Sequence, residues 1–199
     1  QIEAVDFRVK AQSDHVRLIE AVDHQLYTSS SVVNMTAKEG LLHADTQRDI
    51  LKIAVINRYK PQKPVVGFIK NFGLAKGALA TSIAHDSHNI IAVGVDDESL
   101  AHATNHLIQQ KGGIVVYDGN RAEGLALEIA GLMTHQSGHH VARTLQRLTE
   151  KTRHLGCALE APFMTMSFMA LPVIPELKIT DRGLLDVGSF QPVDLFVKE

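Results

Sequence analysis

Residues 82–91 read SIAHDSHNII, so His85, Asp86, Ser87 and His88 stand side by side between runs of small and β-branched residues. On a strand, His85 and Ser87 would share one face and Asp86 and His88 the other. In a turn all four side chains converge. The flanking segments ATSI and NIIAVG have strand composition, which predicts strand–turn–strand and convergence. Three roles compete for the bend. His85, Asp86 and His88 are standard donors to a divalent transition metal, provided that two to four donors meet. The imidazoles also suit acid–base work near pH 6.5, and a neighbouring carboxylate raises that value. In the third role Asp86 and Ser87 cap the turn by accepting backbone N–H bonds, and the histidines are incidental. An H-x-x-H spacing without a fixed third ligand leaves the three open.

Other residues with chemical potential read more simply. His102 and His106 share a helix face at i and i+4, opposite a stripe of apolar residues, which predicts a solvated face. His135, His139 and His140 crowd the start of a long helix, where the helix dipole disfavours a cation, so neutral exposed rings are expected. GLAKG (73–77) lacks the spacing and the Lys-Ser/Thr ending of a phosphate loop. Cys157 follows a helix end with no base beside it in sequence and reads as a packing residue, as do Met164, Met166 and Met169.

Around these residues must lie a protein of 199 residues, 45% hydrophobic and 21% charged. This is ordinary globular composition, and a chain of this length buries roughly 70% of its unfolded surface without a staple. A net charge of −2 gives no electrostatic reason to expect nucleic acid or an anionic membrane as partner. No apolar run approaches the roughly 18 residues of a membrane span. The single cysteine fits a reducing compartment, and a cytoplasmic location is expected. The chain opens QIEAVDFRVK, without an initiator Met or a signal-peptide pattern, and is expected to be a piece of something longer.

The elements that would position the bend can be read along the chain. DFRV (6–9), VRLIEAV (16–22) and SSSVVNMTA (29–37) make the first part β-rich. Residues 50–56 are apolar except for Lys52, the pattern of a strand buried on both faces. Strands follow at 65–72, 77–84 and 89–95. A helix is expected from Asp96 or Asp97 to Gly112, with Leu100, Ala103, Thr104, Leu107 and Ile108 as its buried stripe. A strand then ends at the Asp118-Gly119 turn, and LALEIAGLM (125–133) fits a strand or a short helix. Val141, Leu145, Leu148, Thr152 and Leu155 mark a helix within 134–155, with Gly156 at its C′ position. Residues 162–177 are apolar on every side and should be buried, and VDLFV (193–197) reads as a last strand. The expected class is mixed α/β: a β-rich segment over 1–44, and strands alternating with helices over 45–199.

The segments DILKIAVINRY, GFIKNFGLAKGALATSIAHDSHNIIAVG, LGCALEAPFMTMSFMALPVIPELKITDRGLLDV and VDLFV together resemble the C-terminal region of bacterial adenine deaminase, in the amidohydrolase superfamily. The loop KPQKPVV (60–66) departs from the Gly-rich linker that the likeness implies. The resemblance implies hydrolysis of adenine to hypoxanthine and ammonia by metal-activated water in a (β/α)₈ barrel. Such a barrel takes about 250 residues, so it is absent here and expected upstream. The 1–44 segment would then belong with that barrel's β subdomain. Also implied are a divalent ion (manganese, iron or zinc) in the parent enzyme, adenine as substrate and a homo-oligomer. His85, Asp86 and His88 become candidate metal ligands, with Ser87 orienting one imidazole, and the isolated chain is expected to be inactive. Two rival functions are a docking or oligomerisation module and a self-contained metal-binding hydrolase centred on His85 and His88.

Overall fold

The structure, a computed structural model, describes residues 1–197. After a 3-10 turn at Ala4–Phe7 come β1 (Val9–Lys10), β2 (His15–Ala21), β3 (Thr28–Asn34), β4 (Leu41–Leu42), β5 (Ile50–Ile56), β6 (Val65–Lys70), β7 (Ala78–Thr81) and β8 (Ile90–Gly94). Helix α1 (Asp97–Gln109) leads to β9 (Gly113–Tyr117) and β10 (Ala122–Ala126). Helices α2 (Gly138–His154) and α3 (Pro162–Phe168) precede a small meander, β11 (Leu177–Thr180), β12 (Gly183–Asp186) and β13 (Gln191–Val193). The fold is mixed α and β, and no barrel is present among the described residues.

Eight strands form one sheet in the order β10-β9-β7-β8-β5-β6-β2-β3, antiparallel throughout except where β2 runs parallel to β6. Its centre is β5, all seven residues of which are buried. Leu51, Ile53 and Val55 point into one apolar layer with α2, α3 and the meander. Ala54 and Ile56 point into the other, beneath α1. The period-2 alternation of a strand is thus spent on two cores rather than on core and solvent. Residues 1–44 are built into the same body: β2 and β3 extend the main sheet, while β1 pairs with β4 over a third apolar cluster.

Lys52 occupies the α1 side of β5 and is 1% exposed. Its ammonium donates to the Phe7 carbonyl at 3.1 Å and to Asp97 Oδ1 at 2.5 Å. One buried charge therefore fastens the central strand, the N-terminal 3-10 turn and the first residue of α1. Asp96 caps α1 by accepting from the Ser99 N–H at 2.6 Å. At the far end of α2, Gly73 (φ +72°) and Gly156 (φ +106°) cross back to back. A Cβ on Gly73 would lie 2.7 Å from the Gly156 carbonyl, so the GLAKG turn supplies a close approach of two backbones.

Several expected details are corrected. DFRV divides into the 3-10 turn and β1, because Val5 and Asp6 start a turn with reciprocal caps at Glu3 and Asp6. LALEIAGLM contributes only its first residues to β10 and then turns. Ile108 and Leu145 fall at the rims of their stripes and are exposed. Residues 162–177 are mostly buried, but Met164 and Val173 are more than 60% exposed. VDLFV forms no full strand beyond β13; its end lies against β2 through a bridge between Val16 and Phe196.

Two lysines test this architecture. Asp97→Ala would leave the Lys52 ammonium buried without its counter-charge and should lower stability by about 3 kcal/mol in a urea titration. Pairing Asp97→Leu with Lys52→Met should recover most of that loss. Lys178 in β11 is 0% exposed, donates to the Leu26 carbonyl at 2.9 Å, and has its pKa lowered to about 8 by burial. The unfolded chain keeps this proton to about pH 10 whereas the folded chain gives it up near 8, so stability should rise with pH across that window. Lys178→Met should abolish the rise, as read by denaturation at stepped pH, and should be the more stable protein at pH 7.

Candidate functional site

The bend lies between β7 and β8, as its flanks predict, and each end is pinned. Ser82 Oγ donates to the Gly131 carbonyl at 2.6 Å and accepts from the Gly113 N–H at 2.7 Å, while its own N–H donates to the Gly113 carbonyl. The His85 N–H reaches the Ser167 carbonyl of α3 at 3.1 Å. The His88 N–H closes a turn on the Ala84 carbonyl at 2.7 Å, with His88 in the left-handed region at φ +50°. At the exit, buried Asn89 accepts from the Arg58 N–H, and the Tyr59 hydroxyl donates to the Ser87 carbonyl at 2.8 Å.

This scaffold brings two of the four predicted side chains together. The His85 and His88 rings meet edge to face with centroids 5.7 Å apart. His85 also lies nearly flat on Phe168, centroids 4.9 Å apart at 23°. Asp86 and Ser87 are exposed. Ser87 Oγ accepts from Asn89 Nδ2 at 3.3 Å and bonds no imidazole in this structure. His88 is half-buried, and its Nδ1 is enclosed without a hydrogen-bond partner. Burial, then the positive charge of His85 and Arg58, pushes the His88 pKa below its ordinary value, against an opposing pull from Asp86. The ring is therefore neutral at pH 7 and keeps a lone pair.

His85 forms part of the rim of a cleft of about 330 Å³ between α2 and α3. Ile83, Leu145, Pro162, Met164 and Phe168 make its walls apolar. A metal held by the bend has two imidazoles and an exposed carboxylate to draw on. Among the described residues, however, no three His, Cys, Asp or Glu side chains meet in a way that could hold an ion. The bend therefore falls short of a complete metal site by itself, and a self-contained metal hydrolase finds no support in the geometry. What it offers is a flat aromatic surface, a neutral imidazole and an apolar hollow.

The other helix histidines named above are exposed as expected, except His106. His135, His139 and His140 are exposed. His102 is exposed but stacks on Tyr117 at 4.9 Å, and His106 is half-buried. Both border a hollow of about 660 Å³ with residues 1–4, where Asn105 brackets the Ile2 backbone through two hydrogen bonds. Cys157 is buried and its thiol is pushed up by desolvation, which fits packing rather than reactivity. One cluster gave no sequence signal. Lys151 of α2 bridges Asp118 and Glu123 at 2.8 and 3.0 Å and holds both carboxyls below their usual range. These partners are distant in sequence, so no spacing rule could have joined them.

Residues 25–191 match the model of the adenine deaminase C-terminal domain. The adenine deaminase of Salinibacter ruber is 50% identical over 197 residues, which is 96% of this chain and 35% of that protein. That of Methanosarcina mazei is 50% identical over 184 residues, 92% of this chain and 33% of the relative, and that of Desulfatibacillum aliphaticivorans is 45% identical over 197 residues. The chain thus spans about a third of the length of the curated relatives that it matches. With the matched region covering most of the sheet, the helices and the bend itself, the chain belongs to the adenine deaminase C-terminal domain family.

Proposed function

We propose that this chain is the C-terminal part of an adenine deaminase, and that the whole protein hydrolyses adenine to hypoxanthine and ammonia. Support comes from the family match over residues 25–191 and from relatives named adenine deaminase, of which this chain covers about 35%. In this reading the remainder holds an amidohydrolase barrel whose divalent ion (manganese, iron or zinc) activates water when bound. Purine catabolism in the cytoplasm is the setting that the reading implies. No described helix is long and apolar enough to cross a membrane.

The observation that carries the role of this part is the His85–Phe168 stack on the rim of the apolar cleft. We place that rim against the mouth of the upstream barrel. A flat, partly apolar surface suits a planar heteroaromatic ring, which gains from offset stacking. His88, neutral at pH 7, accepts a hydrogen bond rather than repelling a cation. Asp86, exposed beside the two rings, adds a carboxylate at the same margin. His85, Asp86 and His88 thus orient the substrate or border the ion, while the bond-breaking apparatus lies upstream.

His85→Ala and His88→Ala in the full-length enzyme should each lower turnover about tenfold or more, or reduce bound metal, with circular dichroism unchanged. Unchanged kinetics and metal content in both would leave the chain as a docking module, a reading that the exposed Met164 and Leu145 at the cleft otherwise favour. The 199-residue chain alone should yield no hypoxanthine from adenine by chromatography. Turnover by that chain at the rate of the whole enzyme would overturn the division of labour.

A further inference from the structure

One arginine ties the turn after β5 to both ends of the His85–His88 bend. Asn57 Oδ1 accepts from the Tyr59 and Lys60 N–H groups at 2.9 Å each, which fixes that turn. The Arg58 N–H donates to Asn89 Oδ1 at 3.3 Å. Arg58 Nη2 donates to the Tyr59 hydroxyl at 3.2 Å, and that hydroxyl donates to the Ser87 carbonyl at 2.8 Å. The guanidinium carbon stands 5.1 Å from the centre of the Tyr59 ring, so the cation also steadies the ring by its face. All of these contacts hold the exit of the bend. The same nitrogen reaches towards the entrance. Arg58 Nη2 donates to the Ala130 carbonyl at 2.7 Å, and the next carbonyl, that of Gly131, accepts from Ser82 Oγ at 2.6 Å. Gly131 lies at φ +76°, and a Cβ there would collide with Arg58 Nη1, so the glycine leaves the guanidinium its place.

We propose that Arg58 and Tyr59 are positioning residues, which clamp the two ends of the bend to each other and thereby set how His85 and His88 face the upstream barrel. This assignment rests on the reading above, in which those rings meet the substrate or border the ion. Among the described residues no carboxylate pairs with Arg58, so its donors go to a carbonyl and a phenol rather than to an ion pair. Its Nε is enclosed without a partner, which a side chain kept for stability alone would avoid. The bend needs such a clamp because Asp86 and Ser87 are exposed and pack against no core. A ring displaced by about 1 Å loses on the order of a hundredfold in rate.

Tyr59→Phe removes only the hydroxyl, and Arg58→Met keeps an apolar stem but removes the guanidinium. In the 199-residue chain each should speed hydrogen exchange of the His88 N–H about tenfold and weaken the nuclear Overhauser contact between the two imidazoles. The amides of β7 and β8 should keep their protection. In the full-length enzyme each should lower turnover of adenine about tenfold, but about twofold or less when His88 is already alanine, because coupled residues are not additive. Unchanged exchange and ring contact in both variants, or equal loss of protection along β7 and β8, would overturn the positioning role. So would full turnover in both variants when His88→Ala is impaired. A loosened bend with full turnover in these variants and in His88→Ala alike would leave the clamp standing and sink the reading on which it rests.

Discussion

Everything in this molecule is hung on a strand that has no solvent side. Because β5 is enclosed on both faces, the sheet around it must be roofed twice, once by α1 and once by α2, α3 and the meander. The His85–His88 bend owes its place to this arrangement. β7 and β8 lie on one flank of β5, and the connection between them emerges where α3 covers the sheet, so His85 meets Ser167 and Phe168. Lys52 shows how strict the enclosure is. A cation on β5 has nowhere to reach water, and it is retained by spanning to Asp97 and Phe7.

The same constraint explains what could be read from sequence alone. Seven consecutive buried positions announce themselves as an apolar run, and strong turn and cap residues such as Asp96, Gly156 and the Asp118-Gly119 pair mark their own ends. The location of His85 and His88 in a turn between strands was legible because the flanks were. Their surroundings were not. Phe168 reaches His85 only through the placement of α3, and Ser87 turns to Asn89 because of a local geometry that composition does not encode. The interruption at Lys52 was visible as an anomaly, yet its partner lies 45 residues away. Ion clusters such as Lys151 with Asp118 and Glu123 are likewise products of the tertiary fold and leave no periodic trace.

Around the bend, packing leaves one polar atom unsatisfied. The enclosure that keeps His88 neutral also leaves its Nδ1 without a partner, an arrangement that a core would normally avoid. The apolar cleft beside it exposes Met164 on its wall.

The edge of β2 is completed by residues far away in sequence. β2 borders β6 along its later residues, but beside its first residues lies the stretch 195–197, with the Val197 N–H on the His15 carbonyl and Ser13 bonded to Val197 across 184 positions. The domain is thus closed by contacts between residues as much as 184 positions apart, and contacts of such separation carry the largest loop-closure cost and slow folding.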